Sequence, residues 1–185
     1  MSRQLAPVVD PEWYLWGGST RSFFAQSYSR LGTNLAARLI AGSTAMHTSI
    51  IFLEQGDVVS NINMVCSGAG SSGTPDGFVA LYDTAGALMS QSAAIGTHRA
   101  ANTAYTHPLL APVTIPVTGI YRIACSFTAG SMPTFYGPTV VSNVNDDVFG
   151  LPNLFQTSNT GLTSVAPATI GTPTRISTGP WYLLT

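Results

Sequence analysis

Gly119-Ile120-Tyr121-Arg122-Ile123-Ala124-Cys125-Ser126-Phe127 is the stretch that decides the fold. Tyr121, Ile123, Cys125 and Phe127 fall on one side of an extended chain, with Ile120, Arg122 and Ala124 on the other. A two-residue period led by aromatic and β-branched side chains predicts a strand with one face in a core. Upstream, Val58 to Ser67 alternates in the same way, with Val58, Ile62, Met64 and Cys66 on one face and Asn61 and Asn63 on the other. Ser49-Ile50-Ile51-Phe52-Leu53 is a compact apolar run closed by Gln55-Gly56-Asp57. Phe78 to Tyr82 reads as a strand, and Asp83-Thr84-Ala85-Gly86 as a turn in which Gly86 suits a positive φ. Ala87 to Ser92 returns as the hairpin partner. Pro108, Pro112 and Pro116 punctuate the segment from Ala104 to Pro116; proline has no N–H to donate, so this is an edge strand or a bridging one. Residues 128–174 are rich in Gly, Pro, Ser, Thr and Asn, with apolar islands at Thr139-Val140-Val141 and Leu151 to Phe155. Trp181-Tyr182-Leu183-Leu184 is a last strand expected to zip into a sheet.

Short strands at this spacing, without βαβ alternation or a fixed repeat, predict an all-β fold: an antiparallel β-sandwich, jelly-roll-like, over residues 41–185. Residues 1–40 read as an extended N-terminal arm. They hold Trp13, Tyr14, Trp16, Phe23, Phe24 and Tyr28, and four of the seven arginines. One short helix is expected from Asn34 to Ile40, where Leu35, Leu39 and Ile40 share a face and Gly42 ends it.

Composition narrows the function. Only 8% of the 185 residues are charged, against about 25% in an ordinary soluble protein. Every basic residue other than histidine is arginine. A net charge of −1 with scattered arginines supplies no field for a phosphate backbone, so no nucleic-acid partner is expected. No apolar run reaches the length of a membrane span, and the first residues do not read as a signal peptide. Without lysine there is no P-loop, Schiff-base or Ser-Lys chemistry. So little charge protects a surface poorly against association, and much of it is expected to be covered by partner subunits.

Candidate sites are few. Gly68-Ala69-Gly70-Ser71-Ser72-Gly73 has the spacing of a dinucleotide loop, but Thr74-Pro75-Asp76-Gly77 and a strand follow where a helix is needed, so it reads as a loop. His47, His98 and His107 show no metal-ligand spacing; His98 and His107 flank one polar loop and read as exposed. Asn143, Asn145, Asp146 and Asp147 form an oxygen-rich patch without the acidic ladder of a calcium loop, and read as a solvated turn. Cys66 and Cys125 read as small buried hydrophobes, expected reduced. Most carboxylates sit at turns, and no Gly-x-Ser-x-Gly elbow occurs, so no enzyme, catalytic residue, cofactor or metal is expected. Trp13, Trp16, Tyr136 and Trp181 are candidates for a sugar-stacking platform, against ordinary packing.

Gly77-Phe78-Val79-Ala80-Leu81-Tyr82-Asp83-Thr84-Ala85-Gly86-Ala87-Leu88 resembles β-sandwich modules of bacteriophage virion proteins, in which a strand ending Leu-Tyr-Asp turns through glycine into the next. Thr118-Gly119-Ile120-Tyr121-Arg122-Ile123-Ala124 resembles their later Gly-x-Tyr strand, and Gly179-Pro180-Trp181-Tyr182-Leu183-Leu184 their closing strand. The resemblance spans about residues 45–185; sugar-binding modules share these motifs. It implies a non-enzymatic virion structural component, of the minor tail, tail-tip, fibre or capsid decoration type. Its partners would be other virion proteins and copies of itself, as a homo-oligomer with a trimer favoured. The arm residues Trp13, Tyr14, Trp16, Phe23 and Phe24 are then the expected assembly interface, aromatics being enriched at interface hot spots. The alternative is a carbohydrate-binding module for a host surface glycan.

Overall fold

The computed structural model describes residues 25–26, 35–39, 45–68, 76–95, 101–128, 133–138, 154–176 and 179–185. Twelve strands run through them: β1 (Ala25–Gln26), β2 (Leu35–Leu39), β3 (Met46–Leu53), β4 (Val58–Gly68), β5 (Asp76–Tyr82), β6 (Leu88–Gln91), β7 (Thr103–Thr114), β8 (Gly119–Thr128), β9 (Thr134–Pro138), β10 (Phe155–Ser158), β11 (Thr174–Arg175) and β12 (Tyr182–Leu184). No helix occurs among the described residues.

All pairings are antiparallel, in two sheets. In the first, β7 lies along one edge of β4, while β12 and then β9 occupy successive lengths of its other edge. β1 continues outward from β12, and β2 from β9. The second sheet runs β11-β10-β3-β8-β5-β6. Ile51, Ile62, Met64, Val79, Leu81, Tyr121, Ile123, Phe127, Phe135 and Tyr182 fill the space between them as one core. Phe127 stacks on Phe135 across this space, with ring centroids 5.2 Å apart. The architecture is an antiparallel β-sandwich.

The period of two has its expected consequence in β8, where Tyr121, Ile123, Cys125 and Phe127 are all buried in this core. The Tyr121 hydroxyl donates to the Val117 carbonyl at 2.6 Å and ties the strand's start to the preceding turn, as in the tyrosine corner of other sandwiches. The β5–β6 turn is equally legible. Asp83 Oδ1 accepts from the Ala85 and Ala87 amides at 2.9 and 2.8 Å, and Gly86 takes φ +84°.

Two expectations fail. Leu35–Leu39 is a strand paired with β9, not a helix. A helix of seven residues is below the length that sustains itself, so an available strand edge decides the conformation. Val58 does not share the inward face of Ile62: it is 51% exposed, and Val59 is buried instead. The amides of Ser60 and Asn61 both donate to the Thr185 carbonyl, at 2.8 and 2.7 Å. Two consecutive residues facing one acceptor mark a bulge, and the pairing with β7 also shifts between Val59 and Asn61. One inserted residue exchanges the two faces of a strand.

The second sheet also buries part of its outer face. Met46, Phe78, Ala80, Tyr82 and Ala124 pack there under residues 162–170, with Ala166 buried and Leu162 and Ile170 half-buried. Backbone bonds hold this crossing segment to the hairpin: Leu88 N–H to Ala168 and Ile170 N–H to Gly86, each at 2.9 Å.

Candidate functional site

The expected interface residues Trp13, Tyr14, Trp16, Phe23 and Phe24 lie outside the described residues, as do His98, the Asn143 to Asp147 patch and the glycine loop after Gly68. Among the other candidates, Trp181 is only 5% exposed, so its indole offers no open stacking face. Tyr136 is half-buried, and its hydroxyl donates to Asn102 Oδ1 at 2.7 Å.

His107 corrects the expectation of an exposed loop histidine. It stands in β7 opposite Ile62 of β4, on the inward face, and is 8% exposed. Burial pushes its pKa down to about 4, so the ring is neutral at physiological pH. His47, opposite Cys125, is buried too. Both cysteines are free and buried. The Tyr182 hydroxyl donates to Cys125 Sγ at 3.0 Å, and burial pushes this thiol up to about 12. The Cys66 thiol is also raised by burial and bonds to the Gly68 carbonyl at 2.9 Å. Neither is a thiolate nucleophile at neutral pH. Asp57 and Asp83 are engaged by the backbone of their own turns. Among the described residues no group of three or more His, Cys, Asp or Glu could hold a metal ion.

Two surface features stand out among the described residues. The first is a cavity of about 560 Å³ at the edge where the two sheets meet. The Ser92 and Ile95 amides donate to Val79 and Gly77, so residues 92–95 prolong β6 along β5. β7 touches this edge through the Ser92–Leu109 bridge, and Ser90 Oγ donates to the Ala111 carbonyl at 2.9 Å. Next to this bridge the cavity is lined by Ala93, Ala94, Ile95, Tyr105, His107 and Leu110, among others. Ile95 and Leu109 are buried at its floor, whereas Leu110 is exposed at its rim. Among the described residues that line it, none is acidic, lysine or arginine. Sequence periodicity gives no signal for such a site, because strands distant in pairing order form its walls.

The second is the uncovered half of the second sheet's outer face. Phe52 and Ile120 are cross-strand partners on β3 and β8, 58% and 41% exposed. Val117, just before β8, is exposed as well. One register step inward, Arg122 faces Ile50 and donates to Gln156 Oε1 at 2.8 Å; burial lowers the pKa of this half-buried guanidinium. Apolar side chains around one partly desolvated cation form a surface suited to contact. No known protein-family model matches the chain, and no curated protein matches it.

Proposed function

We propose that this chain is a non-enzymatic structural component of a bacteriophage virion, of the minor tail, tail-tip, fibre or capsid decoration type, acting through subunit–subunit binding. The observation that carries the binding half is the exposed Phe52–Ile120 pair on an otherwise ordered sheet face. Large apolar side chains grouped on a sparsely charged surface favour association over solvation. The virion half rests on the resemblance of the Leu-Tyr-Asp turn and the Gly-x-Tyr strand to β-sandwich modules of virion proteins; in this chain Asp83 and Tyr121 of those motifs each bond to the backbone nearby.

Light scattering on the full chain after size-exclusion chromatography tests the association. A trimer is expected; a monomer at every concentration overturns it. A low-resolution map of the parent particle tests the location, with density for this sandwich expected on the tail or the capsid. The carbohydrate-binding alternative loses one of its four candidate rings with the burial of Trp181, and specific binding on a glycan array would favour it over the assembly reading.

A further inference from the structure

We infer that the cavity between residues 92–95 and β7 receives the Trp13–Trp16 segment of a second copy of this chain, so that subunits associate head to tail. The inference rests on the assembly reading above and names the receptor for its arm.

Topology points there. Residues 1–24 precede β1, which lies outside β12 on one edge of the first sheet. The cavity lies beside β7, beyond the other edge of β4. The point where the arm joins the sheet, at β1, and the cavity beside β7 thus lie on opposite edges of one sheet, about three strand spacings or ~14 Å apart. A contact that joins one edge of a subunit to the opposite edge of the next is heterologous, and it closes into a ring when the rotation permits. The nine residues from Trp16 to Ala25 reach about 30 Å when extended, enough to cross to a neighbour.

The chemistry of the two parts agrees. At about 560 Å³ the cavity lies well inside the range of roughly 300–1,000 Å³ that takes a compact ligand. Its floor of Ile95 and Leu109 is apolar, Tyr105 adds an aromatic wall, and neutral His107 lets a ring enter without burying a charge. The donor run Trp13-Tyr14-Leu15-Trp16 is uncharged and aromatic. Tryptophan combines a large apolar body with one N–H, which suits a mostly apolar site.

Full-length variants test this. Trp13→Ala with Trp16→Ala removes the donor; Ala94→Glu with Leu110→Glu places two carboxylates at the cavity rim, at exposed positions that should leave the melt nearly unchanged. Each variant alone is expected to be a folded monomer. Titrating the labelled rim variant with the Trp variant should give saturable 1:1 binding by fluorescence anisotropy, because one supplies the indoles and the other the open cavity. Normal assembly of the rim variant, with loss in the Trp variant, overturns the cavity as receptor and leaves the arm reading standing. Normal assembly of the Trp variant overturns the arm reading itself. Two monomeric variants that fail to bind each other even about 100-fold above the wild-type assembly midpoint, an allowance for lost ring avidity, also overturn the inference. So does a monomeric wild type whose melt falls sharply in the Trp variant, which would place the rings over their own sandwich.

Discussion

The outer face of the second sheet is one surface with two halves. Met46 and Phe52 belong to the same strand and point the same way, as do Ala124 and Ile120 on the next. Met46 and Ala124 are fully buried, whereas Phe52 and Ile120 stand in solvent. The difference is the returning segment 162–170, which crosses the first half and not the second. Alternation along a strand thus fixes the side to which a residue points, while its burial depends on what the distant chain lays over that side.

The largest effect should fall in the covered half. Phe78→Ala empties a fully buried site under the crossing segment and should cost about 3–5 kcal/mol in urea unfolding. A cost close to that of the same truncation at Phe52 would mean that the crossing segment does not seal this half.

Acid tests burial in the opposite sheet. The pKa of His107 lies near 4 in the fold against 6.5 when solvated. The unfolded chain therefore takes up this proton first as pH falls. The stability is present in full above pH 6.5, is lost between 6.5 and 4, and amounts to about 3 kcal/mol at most. Urea midpoints of wild type and His107→Gln, measured from pH 7 to 4, should diverge because only the wild type carries this slope; parallel curves would show that the histidine is solvated.

Tyr82→Phe loosens the crossing segment itself. The Tyr82 hydroxyl donates to the Pro167 carbonyl at 3.0 Å, and its loss should cost about 1 kcal/mol. Hydrogen exchange should rise at the Leu88 and Ile170 amides, which donate across this contact, before it rises in β8; uniform protection across both would mean that the segment opens only with the whole domain. The smallest stability effect belongs to the bare half. Phe52→Ser should stay within about 0.5 kcal/mol of wild type, yet weaken self-association in sedimentation velocity. Unchanged sedimentation would remove Phe52 from the interface.

Much of this architecture is legible in the sequence. β8 and the β5–β6 hairpin announce themselves through local pattern and turn chemistry, and Pro108 and Pro112 mark β7 as an edge or bridging strand before its contacts with both sheets are known. Four features were illegible for physical reasons. Leu35, Ala37 and Leu39 satisfy a strand's period while Leu35, Leu39 and Ile40 satisfy a helix's, so seven residues carry both patterns. The bulge at Ser60 inverts the phase of β4 through a carbonyl 125 positions away, at Thr185. Residues 162–170 have turn composition, and only long-range packing gives them a function. The cavity beside β7 has no sequence signature, since it depends on where two sheet edges meet.

The shared edge of β4 has a consequence for how the chain acquires its fold. Asn63 Nδ2 donates to the Leu183 carbonyl across 120 residues of sequence, and Tyr182 pairs with Met64. The first sheet therefore cannot close until Tyr182–Leu184 has left the ribosome, some 120 residues after Asn63. Such non-local pairing makes folding slow, and during synthesis part of β4's edge stays open to any extended strand nearby. Production of this protein should therefore depend on temperature and translation rate more steeply than its final stability would indicate, with soluble yield favoured by conditions that dilute the nascent chains.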